Sequence, residues 1–450
     1  VLEAPHAPAA PGPRELRRAV LRLALPMTLA GTAGVIVPFV VLAMSARMEA
    51  ADLTVRSLYL PLAFLFLALQ MSFDVSNQAA TAFRHGAGRT ADVPAAAFSA
   101  GLVWAGAGAG LGAVIAVAAP ALARFLQVGA GADAEFVSFL RWMAAANLTL
   151  IVPVLAASCL RGAGRARAAA LITLSNAAVE ITLVAVLGFD PVALGVMAVP
   201  VATAAAGLSG GVLGLVLLRR AGLRGPVGWR PEVLRGLRSV GLPVGISYVA
   251  VFATNLAMMW VLGPFDPRIR NGFAAAATVQ SLVVIPAIAL GSATAIVMNQ
   301  QRGAGRRGLN PATMGAGLRI AAAVYGAVAL VVWTARDVIG LVMAGDSRMA
   351  AECARYLNEV GPTYLCFGMV LMAITVMEQI GRGRAALLLN AVYAAQIIGV
   401  GGLLARSFHS QDLLYGTIAV TNLAGLAVVL VAVRAVRRDS GDRGQACPSG

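Results

Sequence analysis

Residues Arg161–Glu180 read RGAGRARAAALITLSNAAVE. The stretch opens on a Gly-x-Gly-Arg turn with three arginines, Arg161, Arg165 and Arg167, and runs into an apolar, helix-length segment that reaches about Gly188. Asn176 and Glu180 are four residues apart, so a helix puts them on one face. Glu180 follows Arg167 by 13 residues, roughly 20 Å at helical rise. Arginines at a membrane surface would leave this carboxylate deep in hydrocarbon, where a charge is costly and marks a functional site by default.

The rest of the chain agrees with a membrane setting. Of 450 residues, 59% are hydrophobic and 12% charged, and mean hydropathy is +0.81. No soluble domain of this size needs so much apolar surface. All 35 basic residues are arginine, and the net charge is +15. In a soluble protein that balance suggests nucleic acid. Here the arginines gather at segment ends, which indicates anchoring at a lipid surface. Cys159, Cys353, Cys366 and Cys447 lack metal-binding spacing, and His6, His85 and His409 form no cluster. A chain without lysine holds no Walker motif, which argues against nucleotide hydrolysis. The residues indicate no enzyme, metal or cofactor.

Twelve apolar segments of span length can be counted, at about 20–46, 54–82, 94–119, 134–160, 168–188, 193–218, 236–262, 272–299, 312–334, 349–379, 385–405 and 413–436. Their order predicts an all-α polytopic membrane protein. It has a tail at 1–18, a first lobe at 19–220, a basic linker at 221–235, a second lobe at 236–438 and a tail at 439–450. The arginine bias puts both termini inside, with 25 arginines on the inner side and 10 on the outer. That implies a multi-pass membrane protein with both termini in the cytoplasm.

The two halves repeat. Pro26 and Pro243 are 217 residues apart, as are Gly88 and Gly305, and Gly164 and Gly381. Each half has an even number of spans, so both enter the membrane in the same sense, related by an axis along its normal. The glycines predict sharp helix ends, with arginines anchoring the turns.

Asp74 and Glu180 are the two acids expected inside spans; their repeat mates are Gly291 and Ile397. Gln70, Asp74, Asn77 and Gln78 share a polar face of the second segment, while Asn147 and Thr203 lie at comparable depth in the fourth and sixth. The expectation is a polar pocket in the first half, with Asp74 as a second carboxyl beside Glu180. Two readings remain at this point: ion or proton coupling, or protonated acids that tie helices together.

With those features, the sequence resembles the multidrug and toxic compound extrusion (MATE) family over about residues 16–438. The resemblance rests on twelve spans in two parallel halves, the early prolines of segments 1 and 7, the Gly-x-Gly-Arg turns, and an Asn four residues before an acid in SNAAVEITLVAVLGFDPVALGVMAVPVAT. It implies two six-helix lobes in a V that open alternately, a monomer in a lipid bilayer, and export of cationic or amphipathic small molecules against a proton gradient, with sodium as the alternative ion. In the DinF-like bacterial branch, the resemblance places coupling residues at Glu180, Asn176, Asn147 and Thr203. The segment-1 acid of that branch falls near Val41 and is missing, as is the segment-7 Glu of other branches, near Val251. Alternatives are a lipid-linked precursor flippase of the same superfamily and a transport-inactive scaffold or sensor. An intramembrane enzyme would need paired Asp residues or a buried His, and neither is seen.

Overall fold

In the computed structural model, residues 11–441 are described except 49, 127, 129–131 and 345. Cys447 and His6 lie outside the described residues. The described residues are helical with short connections and contain no strand. Helices α1 to α9 are Pro13–Ser45, Asp52–Gly86, Thr90–Phe125, Asp133–Gly162, Ala166–Leu187, Gly195–Arg220, Glu232–Val261, Pro267–Gly303 and Arg307–Thr334. A continuous helical run, Ser347–Phe408, reverses at Gly381, where φ is +88°. It forms α10 (347–380) and α11 (382–408), and α12 is Gln411–Ser440. The twelve spans match the expected segments, with extra turns at several helix ends. A short helix, Arg336–Met343, joins α9 to α10 and was not foreseen.

Leu25, Leu29, Val117, Trp142, Leu208 and Leu403 are all more than half exposed. In water such a surface would aggregate, whereas in lipid it is the solvated face. α4 breaks at Leu150, between its pieces Asp133–Thr149 and Ile151–Gly162. Pro153 explains the break, because it has no N–H to donate and its ring crowds the carbonyl one turn back.

The repeated glycines adopt the conformation that a reversal requires. Gly88, Gly164, Gly305 and Gly381 have φ of +71°, +80°, +74° and +88°, a region open to glycine and costly for residues with a Cβ. Each follows the C-terminal end of α2, α4, α8 or α10 and turns the chain into the next helix.

The halves meet through α1 and α2 against α7 and α8. At their C-terminal ends, the inner ends in the expected orientation, α2 and α8 touch backbone to backbone. A Cβ on Gly86 would overlap the Gln300 carbonyl, and a Cβ on Gly303 would overlap the Phe83 carbonyl. Phe83 and Gln300 are 217 residues apart, as are Gly86 and Gly303. The crossing therefore sits on the two-fold axis relating the repeats.

The linker is strapped to the first half. Arg230 N donates to Ser99 Oγ at 2.8 Å, and Arg230 pairs with Asp92 at 3.6 Å. Gly225 packs against the Ala91 carbonyl. Glu232, the first residue of α7, pairs with Arg84 at 3.5 Å.

Candidate functional site

The polar residues of the spans fall into two groups. The first lies within the first half. Glu180 of α5 is half-buried, and Thr203 of α6 donates to its Oε1 at 3.2 Å. Asn147 of α4 donates to the Tyr59 hydroxyl on α2 at 3.3 Å. Arg56, one turn before Tyr59, is 6% exposed, with its guanidinium 5.5 Å from the Tyr59 ring centroid. Arg56, Tyr59 and Glu180 lie within electrostatic range of one another. Burial weakens screening, so the attraction of Arg56 for Glu180 is stronger than on a surface. Asp52, one turn earlier on α2, accepts from Val196 N at 3.0 Å at the entry to α6.

Asn176 is turned away from this group. Its amide nitrogen donates to the carbonyls of Ala206 and Ile172 at 3.2 Å each, and its side chain fills the space over Gly210. The amide thus ties α5 to α6. Val41, where the resemblance would put an acid, is fully buried among Val55, Tyr59, Val184 and Val199.

The second group lies at the inner contact between the halves. Asp74 forms an ion pair with Arg161 of α4, and Gln78 Oε1 accepts from Arg161 Nε at 2.6 Å. Gln78 Nε2 donates across the halves to Gln379 Oε1 at 3.0 Å. Gln379 Nε2 donates to Ser292 Oγ at 2.6 Å, and its carbonyl accepts from Asn299 at 3.0 Å. Gln300 donates to the Gly162 carbonyl at 2.8 Å. Asn77 stays within the first half and donates to Ser158 Oγ at 2.6 Å.

The expected polar stripe of α2 is therefore divided. Gln70 joins Asn147 at a small pocket with Trp104, Asp74 and Asn77 bind α4, and Gln78 reaches across to the second half. Asp74 faces Arg161 because that arginine, read as a surface anchor, is only 15% exposed and reaches inward onto α2.

Two further acids, at segment ends in the sequence, are also buried. Asp52 is 4% exposed and Glu378 of α10 is 8% exposed. Both lie near helix ends, where the segment pattern alone does not show burial. Arg56 was missed for the same reason. Its signal was its place on the Tyr59 face of α2. The signal for Glu378 was its offset of 217 from Arg161.

Residues 243–400 match the MatE family model. No curated protein matches the chain. Among solved structures, the Vibrio cholerae MATE transporter VcmN in its bent form is similar at TM-score 0.88 and 15% identity, over 95% of this chain and 98% of that one. An Asp-to-Asn mutant of VcmN gives TM-score 0.87 and 16% identity, with 95% and 98% covered. A Pyrococcus furiosus MOP-superfamily transporter gives TM-score 0.82 and 16% identity, over 94% and 96%; its structure is described as having a binding pocket of reversed polarity.

Residues 243–400 thus match the MatE model, and the chain has the fold of the MATE transporter structures. The matched region is in the second half, while the MATE fold extends over nearly the whole chain. The Glu180 group lies outside residues 243–400, so it is defined by geometry alone.

Proposed function

We propose that the protein is a secondary active exporter of amphipathic or cationic small molecules, working by alternating access of two lobes and driven by proton influx through Glu180. The observation that carries this reading is the Glu180 group. A half-buried carboxylate in α5 accepts from the Thr203 hydroxyl and lies within electrostatic range of a buried cation, Arg56. A proton on Glu180 would release Arg56 and Thr203 from its charge, so the two protonation states favour different packings of α2, α5 and α6. The inner polar contact supplies a closure that must open for the opposite state. Asp74 belongs to that closure in this reading, with Gln78 at its cross-lobe hydrogen bond.

The test is efflux of a cationic dye from proteoliposomes under an imposed proton gradient, with a sodium gradient as the comparison. Wild-type efflux that follows the proton gradient, and fails in Glu180→Gln, supports the reading. Efflux driven by sodium alone replaces the ion.

Arg56 favours a second reading in which the cargo is an anionic or zwitterionic amphiphile, such as a lipid-linked precursor. A buried arginine is a strong partner for carboxylate or phosphate. Export of an anionic dye, with none of a cationic one, would select it.

A further inference from the structure

We propose that Glu378 is a second proton-binding site, in the second half of the chain, at the inner contact between the lobes. As a step in transport, this rests on the proton-coupled reading above; as a chemical property of the protein, it does not.

The argument begins with the repeat. Glu378 is the mate of Arg161, and Gly291 is the mate of Asp74. In the first half, the two positions hold a cation and an anion that pair. In the second half, they hold a carboxylate and a glycine. Gly291 packs on Thr375 instead. The same architectural position thus has the opposite charge, and the place of its counter-ion is closed by Thr375 of Glu378's own helix.

The surroundings of Glu378 supply little to hold a charge. It is 8% exposed. Ser247 of α7 donates to Oε1 at 2.9 Å, and Asn390 of α11 donates to Ser247 Oγ at 3.3 Å. Among the described residues, no Arg or His pairs with Glu378, and none of the charged groups on the elements packed around it forms an ion pair with it. Arg302 of α8 binds Asp439 at 3.5 Å and the Ile380 carbonyl at 2.9 Å. Asp74 of α2 binds Arg161. His85, in the last turn of α2, lies beside Arg165. Arg238 on α7 and Arg384 on α11 are exposed, and Arg382 follows the turn glycine. Tyr248 of α7 lies within electrostatic range of both Glu378 and Asp74.

A buried carboxylate with one hydroxyl donor and no cation is a poor resting place for a full charge. One proton removes that charge without any other rearrangement. A metal cation is the weaker fit, because hard cations take about six oxygens and only one carboxylate and one hydroxyl meet here. The site adjoins Gln379, whose side chain forms the cross-lobe hydrogen bond to Gln78. Gain or loss of the proton therefore acts one residue from the inner closure.

The experiment is infrared difference spectroscopy of the full chain in lipid nanodiscs, titrated from alkaline to acidic pH. Transport is not needed for the readout. The protonated-carboxyl stretch is expected to contain separate contributions from Glu180 and Glu378. Glu378→Gln should remove one and leave the other, and Glu180→Gln should do the reverse. If Glu378→Gln does not yield a monodisperse protein, Glu378→Asp serves instead and should move its component without removing it. A wild-type titration matched throughout by the Glu378 variant overturns the proposal. Loss of the Glu180 component alone, with normal Glu378 behaviour, would bear on the coupling reading and leave this one intact.

Discussion

Glu180 shows what a single residue can do in a low-dielectric setting. Glu180→Gln keeps the shape and a Thr203 contact but fixes the neutral state, so efflux under a proton gradient should fall to the level of empty vesicles. Glu180→Asp shortens the reach to Thr203 and should retain partial efflux. Full efflux by Glu180→Gln would remove the residue from the mechanism. The Asp74–Arg161 pair makes a different prediction. Both side chains are about 15% exposed, so removing one partner leaves a poorly hydrated charge. Asp74→Asn should lower stability by about 1–3 kcal/mol, read as a lower thermal midpoint in detergent. Asp74→Asn with Arg161→Gln should recover part of that loss. The sequence showed the depth of Glu180 and its neighbours Asn147 and Thr203, because helical rise converts residue count into distance. It did not show Arg56 or Glu378, because a charge near a helix end reads as solvated until the neighbouring helices are placed.

At the scale of helices, the crossing of α2 and α8 depends on having no side chain at Gly86 and Gly303. Gly86→Ala or Gly303→Ala puts a methyl against a backbone carbonyl, which cannot turn aside as a side chain can. Either should separate the helices and cost about 1–3 kcal/mol. Gly315→Ala and Gly326→Ala in α9 meet nothing within 4 Å and should be neutral or slightly stabilising. Equal losses in all four variants would show that the crossing is not specially tight. The turn glycines were readable as reversals, because arginines followed them at one offset in both halves. The contact of Gly86 with Gly303 was not, since a repeat reveals which positions correspond but not which ones touch.

At the scale of the whole molecule, the predictions concern sidedness and motion. A tag at residue 450 is expected in the cytoplasm, and a cysteine introduced at Asp266 should label from outside intact cells. Labelling of a cysteine at Arg224 from outside, with none at Asp266, would invert the orientation. The hydrogen bond between Gln78 and Gln379 spans the two halves at 3.0 Å. In a background without native cysteines, Gln78→Cys and Gln379→Cys joined by a short bifunctional reagent should stop efflux, and cleavage of the bridge should restore it. Unchanged efflux in the bridged protein would show that the inner contact does not open during the cycle.

The strap between α6 and α7 has a mechanical consequence. Ser99, Asp92 and Arg84 of the first half hold Arg230 and Glu232, so α7 is mounted on the lobe opposite to its own. Beyond that mount, residues Leu237–Gly241 form a wider, five-residue helical turn, bounded by Gly236 and ending on Gly241. A turn of that kind has longer hydrogen-bond loops and yields more readily to torsion than regular helix. Rocking of the second lobe would then be a rotation about this short pivot, with its arc limited by a leash of fixed length. A single protease cut between Ala221 and Gly228 would leave the pivot seated and the two fragments together.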